Sequence, residues 1–115
     1  MTHSANALLV LTPNWNSAAW ARRFQQLAPE RDIRLWPDGV GDAADIAYVA
    51  AWKPPAGALA KLPNLQVIFS LGAGVDHLTS DPALPVLPIV RSVDPDLTAR
   101  MSEYVSWQVL HWHRQ

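Results

Sequence analysis

Three short runs decide most of what this chain can become: Ala7-Leu8-Leu9-Val10-Leu11, Ile46 to Trp52, and Leu65 to Leu71. Each is apolar nearly throughout, which fits parallel strands buried in a sheet better than half-solvated strands that alternate. Thr12-Pro13-Asn14 ends the first run. Asp32-Ile33-Arg34-Leu35-Trp36 does alternate, and so predicts a strand at the sheet edge. Between strands, Ala18, Trp20-Ala21, Phe24 and Leu27-Ala28 fall near helical spacing, predicting a helix over Ser17 to Ala28 that Pro29 stops. Pro54 should hold Lys53 extended, and Pro55 can open a short helix over Ala58 to Leu62. Pro88 to Arg91 predicts a fifth strand, and Pro82, Pro85 and Pro88 exclude a long helix between Leu78 and Ile89. Asp94 is the expected N-cap, with Pro95 at the first position, of a helix running to the chain end, about 30 Å long. This order of elements is an α/β layout, a mostly parallel sheet flanked by helices.

With 115 residues, the chain is one domain or part of one. Its net charge is -1 and its basic residues are scattered, which argues against nucleic acid or an anionic membrane surface as partner. Cysteine is absent, and neither a leader nor an apolar run near the ~18 residues of a membrane span is found, so a cytoplasmic location is expected. Most of the six tryptophans are expected in the core. In the last helix, Leu97, Met101, Val105, Val109 and Trp112 follow one face, and Tyr104, Trp107 and Leu110 make a second. A helix outside a sheet needs one apolar stripe, so the second predicts contact with something outside this chain. His113-Arg114-Gln115 carries no helix stop signal. The chain is therefore expected to be the first part of a longer protein, or a truncated product of one.

The chemistry is expected where the Leu65–Leu71 run meets Gly72-Ala73-Gly74-Val75-Asp76. Gly72 and Gly74 allow dihedrals that other residues resist. Successive N–H groups in such a turn can hold an anion, here read as a small carboxylate. A plain tight turn without ligand stands as the alternative. A dinucleotide fingerprint fails, because His77 stands at the third glycine's place and the prolines after Asp81 forbid the long helix it needs. Trp52, at the end of its strand, would wall a pocket over the turn; alternatively it is a core residue. His77 reads as a surface or turn residue, and His3 lies in a terminus expected to be loose. His111 and His113 point nearly opposite ways on a helix, and no Asp, Glu or His grouping has ligand spacing, so no metal site is expected. A phosphoacceptor site lacks carboxylates at the strand ends, Thr12 to Ser17 is a poor flavin-phosphate loop, and no serine sits in a nucleophile elbow.

Taken together, Leu62-Pro63-Asn64-Leu65-Gln66-Val67-Ile68, Leu71-Gly72-Ala73-Gly74-Val75-Asp76 and Met101-Ser102-Glu103-Tyr104 resemble the N-terminal portion of D-isomer-specific 2-hydroxyacid dehydrogenases. Trp52-Lys53-Pro54-Pro55 and Val109-Leu110-His111-Trp112-His113-Arg114 are similar to the glyoxylate/hydroxypyruvate reductase A branch. The resemblance implies a flavodoxin-like substrate domain over residues 1–94 and a crossing helix over 95–115. The Rossmann domain that binds NADPH or NADH, together with the catalytic arginine, carboxylate and histidine, would lie beyond this chain. It implies that Ala73, Gly74 and Val75 hold the carboxylate of a small 2-oxoacid or 2-hydroxyacid. It also implies that Trp52 lines its pocket, that Met101 approaches the nicotinamide and that Glu103 has a structural role. The chain alone is expected to bind no cofactor tightly and to be inactive. The reading from a different class is a non-catalytic α/β binding or self-association module, with a homodimer left open.

Overall fold

The computed structural model describes residues 5–93 and 95–113. The elements are β1 (Ala7–Leu11), α1 (Ser17–Leu27), β2 (Ile33–Leu35), β3 (Ile46–Ala51), β4 (Val67–Ser70), α2 (Asp76–Thr79), β5 (Ile89–Val90) and α3 (Pro95–His113). Two 3-10 turns, Ala43–Asp45 and Leu59–Lys61, precede β3 and β4. The five strands form one sheet in the order β2-β1-β3-β4-β5, and every neighbouring pair is parallel. This is the flavodoxin-like order, and the alternating strand β2 lies at the edge as its pattern requires. The register carries Ala51 of β3 level with Ser70 of β4 and with Leu11 of β1, so the three strands end on one rim.

The core lies on one face of the sheet. Leu9 and Leu11 of β1, Val49 and Ala51 of β3 and Ile68 of β4 meet Leu59, Leu62, Leu65 and Leu78 there, all buried. Leu65 therefore plugs the core from outside the strand, which begins at Val67 and not at Leu65. The expected helix over Ala58–Leu62 is a single 3-10 turn over Leu59–Lys61, too close to Pro63 to gain a second turn.

The opposite face is only partly covered. Leu8, Phe24 of α1, Phe69, Leu71 and Val90 line an open groove of about 330 Å³. Phe69 is half-buried and Val90 is 48 % exposed, so the expectation that β4 is covered on both faces is corrected. Only α1, among the described helices, packs against this sheet in quantity, and it sits over the β1–β2 side. None of the described residues of α3 is buried, and eight of its large apolar side chains are exposed. The tryptophans are corrected too: none of the six is buried, and Trp107 and Trp112 of α3 are 58 % and 68 % exposed. Trp36 packs against the core from its margin, and the others stand at the sheet rim or on the outward helix.

Local chemistry sets the loop after β1. Asn16 caps α1 by accepting the Ala19 N–H at 3.2 Å. The Ser17 hydroxyl donates to the Thr12 carbonyl at 2.9 Å, and the Trp15 N–H donates to the same carbonyl at 3.1 Å. This closes the loop and holds Trp15 on the rim. The expected cap at Asp94 lies outside the described residues, as does His3.

Candidate functional site

The reversal of strand order in an open α/β sheet leaves a crevice at the carboxyl ends of the strands that flank it, here β1 and β3. Tryptophans fill that place. Trp52, the residue after β3, donates its N–H to the Leu11 carbonyl at 3.1 Å, and its ring stacks on Trp15 at 5.4 Å between centroids. Trp15 in turn stacks on Trp20 of α1 at 5.4 Å. The Trp52 indole also lies against the turn that follows β4, its six-membered ring nearest Gly72. A Cβ at Gly72 would overlap Cζ3 of Trp52, so only glycine fits beneath the ring.

This revises the reason for the two glycines. Neither Gly72 nor Gly74 has a positive φ; among the glycines, only Gly41 and Gly57 do. Gly72 is there because of the indole's close approach, whereas a Cβ at Gly74 would meet nothing within 4 Å. The left-handed residue of the site is Lys53, at φ 49°, and the expectation that Pro54 holds it extended is corrected. Its Nζ lies 5.7 Å from the centre of the Trp52 ring, and its N–H bonds to a side chain of the turn.

Beneath the turn, Ser70 is buried, with its Oγ 3.0 Å from the Gly72 carbonyl and 3.0 Å from the Gly74 carbonyl. The Gly72 carbonyl also accepts the Ser92 N–H at 3.3 Å. Both glycine carbonyls are thus turned toward Ser70. In a planar trans peptide the C=O and the next N–H point opposite ways. The N–H groups of Ala73 and Val75 are therefore turned away from Ser70. Among the described residues, no acceptor is found for the N–H of Ala73, Gly74 or Val75, and Ala73 and Gly74 are exposed. The Val75 carbonyl starts α2 by accepting from Leu78 and Thr79 at 2.9 and 3.0 Å.

His77 is the residue that sequence reasoning missed. Its Nδ1 accepts the Lys53 N–H at 3.0 Å, and its Nε2 lies 3.1 Å from the Ser70 Oγ and 3.2 Å from the Gly74 carbonyl. The imidazole centre is 4.5 Å from that of Trp52. With Nδ1 accepting, the neutral ring carries its proton on Nε2. Burial lowers its pKa below the ordinary 6.5; the hydrogen bond to the Gly74 carbonyl opposes this, and the charges of Lys53, which lowers it further, and Asp76, which raises it, weigh less.

Four of the sequence-predicted residues, Trp52, Ala73, Gly74 and Val75, thus belong to one rim. The bonds and ring contacts that join them do not extend to Met101, which stands on α3 and is 52 % exposed. Glu103 is also exposed on α3. Among the described residues, no group of three His, Cys, Asp or Glu could hold a metal ion, and no helix is long and apolar enough to cross a membrane.

The fold is similar to that of solved D-isomer-specific 2-hydroxyacid dehydrogenases, over about a third of their length. A crystal structure of one from Xanthobacter autotrophicus Py2, in complex with NADPH and MES, superposes with a TM-score of 0.78 at 33 % identity, over 93 % of this chain and 35 % of that one. A probable 2-hydroxyacid dehydrogenase from Rhizobium etli CFN 42, in complex with NADP, HEPES and L(+)-tartaric acid, gives 0.73 at 39 % identity, over 90 % and 33 %. Within that class, the chain is 35 % identical over 114 residues to a glyoxylate/hydroxypyruvate reductase A from Escherichia fergusonii. It spans 36 % of that curated relative's length. No protein-family model matches the chain. The family likeness read from the sequence is thus found over the part of these proteins that the chain covers.

Proposed function

We propose that this chain is the substrate-domain portion of an NAD(P)H-dependent 2-hydroxyacid dehydrogenase that reduces glyoxylate- and hydroxypyruvate-type 2-oxoacids. In this reading residues 1–94 belong to the substrate domain and residues 95–115 to the segment that crosses toward the cofactor domain. One observation carries the reading: the N–H groups of Ala73, Gly74 and Val75 have no acceptor among the described residues, those of Ala73 and Val75 face away from Ser70, and an indole lies against Gly72 beside them. A carboxylate has four lone-pair sites to offer such donors, and fixing it orients the adjacent keto carbon. Trp52 shields one side of that acid from water, which strengthens each bond. The NADPH and NADP held by the structural neighbours support a nicotinamide cofactor, which when bound supplies the hydride. The exposed Met101 belongs to the surface that would meet it. Groups to polarise the keto oxygen and deliver a proton are not assigned to this chain, which by itself is inactive in this reading.

The test is a chimera in which this chain replaces the corresponding segment of the Escherichia fergusonii reductase, assayed for glyoxylate reduction with NADPH. Turnover that Gly74→Pro abolishes, by deleting one turn donor, supports the reading. Turnover unchanged by Gly74→Pro contradicts it. A second reading, a non-catalytic self-associating module, draws on the exposed apolar side chains of α3. An inactive chimera combined with a stable dimer of the chain would favour it.

A further inference from the structure

We infer that His77 is a positioning residue for the carboxylate turn: its neutral imidazole locks the exit of β3 to the turn after β4 and holds Trp52 between them. The inference rests on the carboxylate reading above. Both ring nitrogens are engaged by the protein. Nδ1 takes the Lys53 N–H, and Nε2 serves the Ser70 hydroxyl and the Gly74 carbonyl. These partners come from two strand ends, and Lys53 stands 24 positions before His77 in the chain. The imidazole, meanwhile, lies against Trp52 in a tilted contact, 4.5 Å between centroids. Lys53 sits in the left-handed region, which a lysine rarely adopts unless its surroundings hold it there. The bond from its N–H to His77 supplies such a hold.

The consequence reaches the turn amides through the backbone. Fixing the Gly74 carbonyl toward His77 and Ser70 fixes the opposite direction of the Val75 N–H. His77 therefore does not touch the acid; it determines where a donor points. The charged groups that face the imidazole are Lys53, from the β3 exit, and Asp76, its chain neighbour. A proton on Nδ1 would remove the acceptor for Lys53, so the lock works only with the neutral ring.

The test uses the whole chain and three variants. In His77→Asn, Oδ1 can stand where Nδ1 stood and keep the Lys53 bond. In His77→Gln, the amide can replace Nε2 only. His77→Ala loses both. Amide exchange of Lys53 should quicken about tenfold in His77→Ala and His77→Gln, as for loss of one hydrogen bond, and remain near the parent rate in His77→Asn. Imidazole nitrogen NMR shifts near neutral pH should show the proton on Nε2. Oxamate, an unreactive 2-oxoacid analogue, should bind His77→Ala several-fold more weakly than the parent. Unchanged Lys53 exchange in His77→Ala, or a proton on Nδ1, overturns the lock. Undiminished oxamate affinity in His77→Ala overturns its positioning role. If the parent chain does not bind oxamate, the carboxylate reading fails, and the lock is decided by exchange and tautomer alone. If His77→Ala does not fold, His77→Asn against His77→Gln decides the exchange result.

Discussion

At Gly72 the side chain of a residue 20 positions earlier dictates which amino acid is allowed. The indole of Trp52 occupies the space a Cβ would need, while the space around Gly74 is open. Gly72→Ala should therefore cost about 1–3 kcal/mol through overpacking, measured by urea unfolding. Gly74→Ala should stay within about 0.5 kcal/mol by the same measurement. The pair separates a glycine held by packing from one that packing does not require. His77 adds a pH dependence whose sign follows from its lowered pKa. The unfolded chain takes up the proton more readily than the folded one. This residue's contribution is therefore complete above the unfolded value near 6.5 and is lost as pH falls from there through the lower folded value. His77→Asn should flatten that segment of the stability–pH curve. Trp52 and the turn were legible in the sequence because an apolar run leading into glycines is a local pattern. The reach of His77 to Lys53 was not, because it depends on Ala51 standing level with Ser70, a register that no local pattern contains.

Among the elements, the strands were legible and their cover was not. Apolar runs located β1, β3 and β4, and alternation located β2 at the edge. The same runs implied cover on both faces, yet Phe69 and Val90 border an open groove. A run of apolar residues records that a surface was made to be covered; it does not say that the covering piece lies in the same chain. The two apolar faces of α3 make the same point from the other side, since none of its described residues is buried. Deleting residues from 95 onward should thus leave the urea midpoint of the sheet unchanged within error while reducing self-association in sedimentation. A large loss of stability would show that α3 packs on the sheet in solution.

For the whole molecule, the chain accounts for 36 % of its curated relative's length. A turn of main-chain donors beneath an indole can orient an acid, but orientation alone does not reduce it. The chain by itself should oxidise no NADPH in the presence of glyoxylate. It should nevertheless retain weak recognition of the acid, on the order of millimolar, because the proposed donors are all its own. Titrating the isotope-labelled chain with oxamate and following its amide resonances tests this most directly. The account predicts saturable shifts at Ala73, Gly74 and Val75 and at the Trp52 indole. Oxamate that leaves these four positions unmoved, or that perturbs only residues elsewhere, would contradict it.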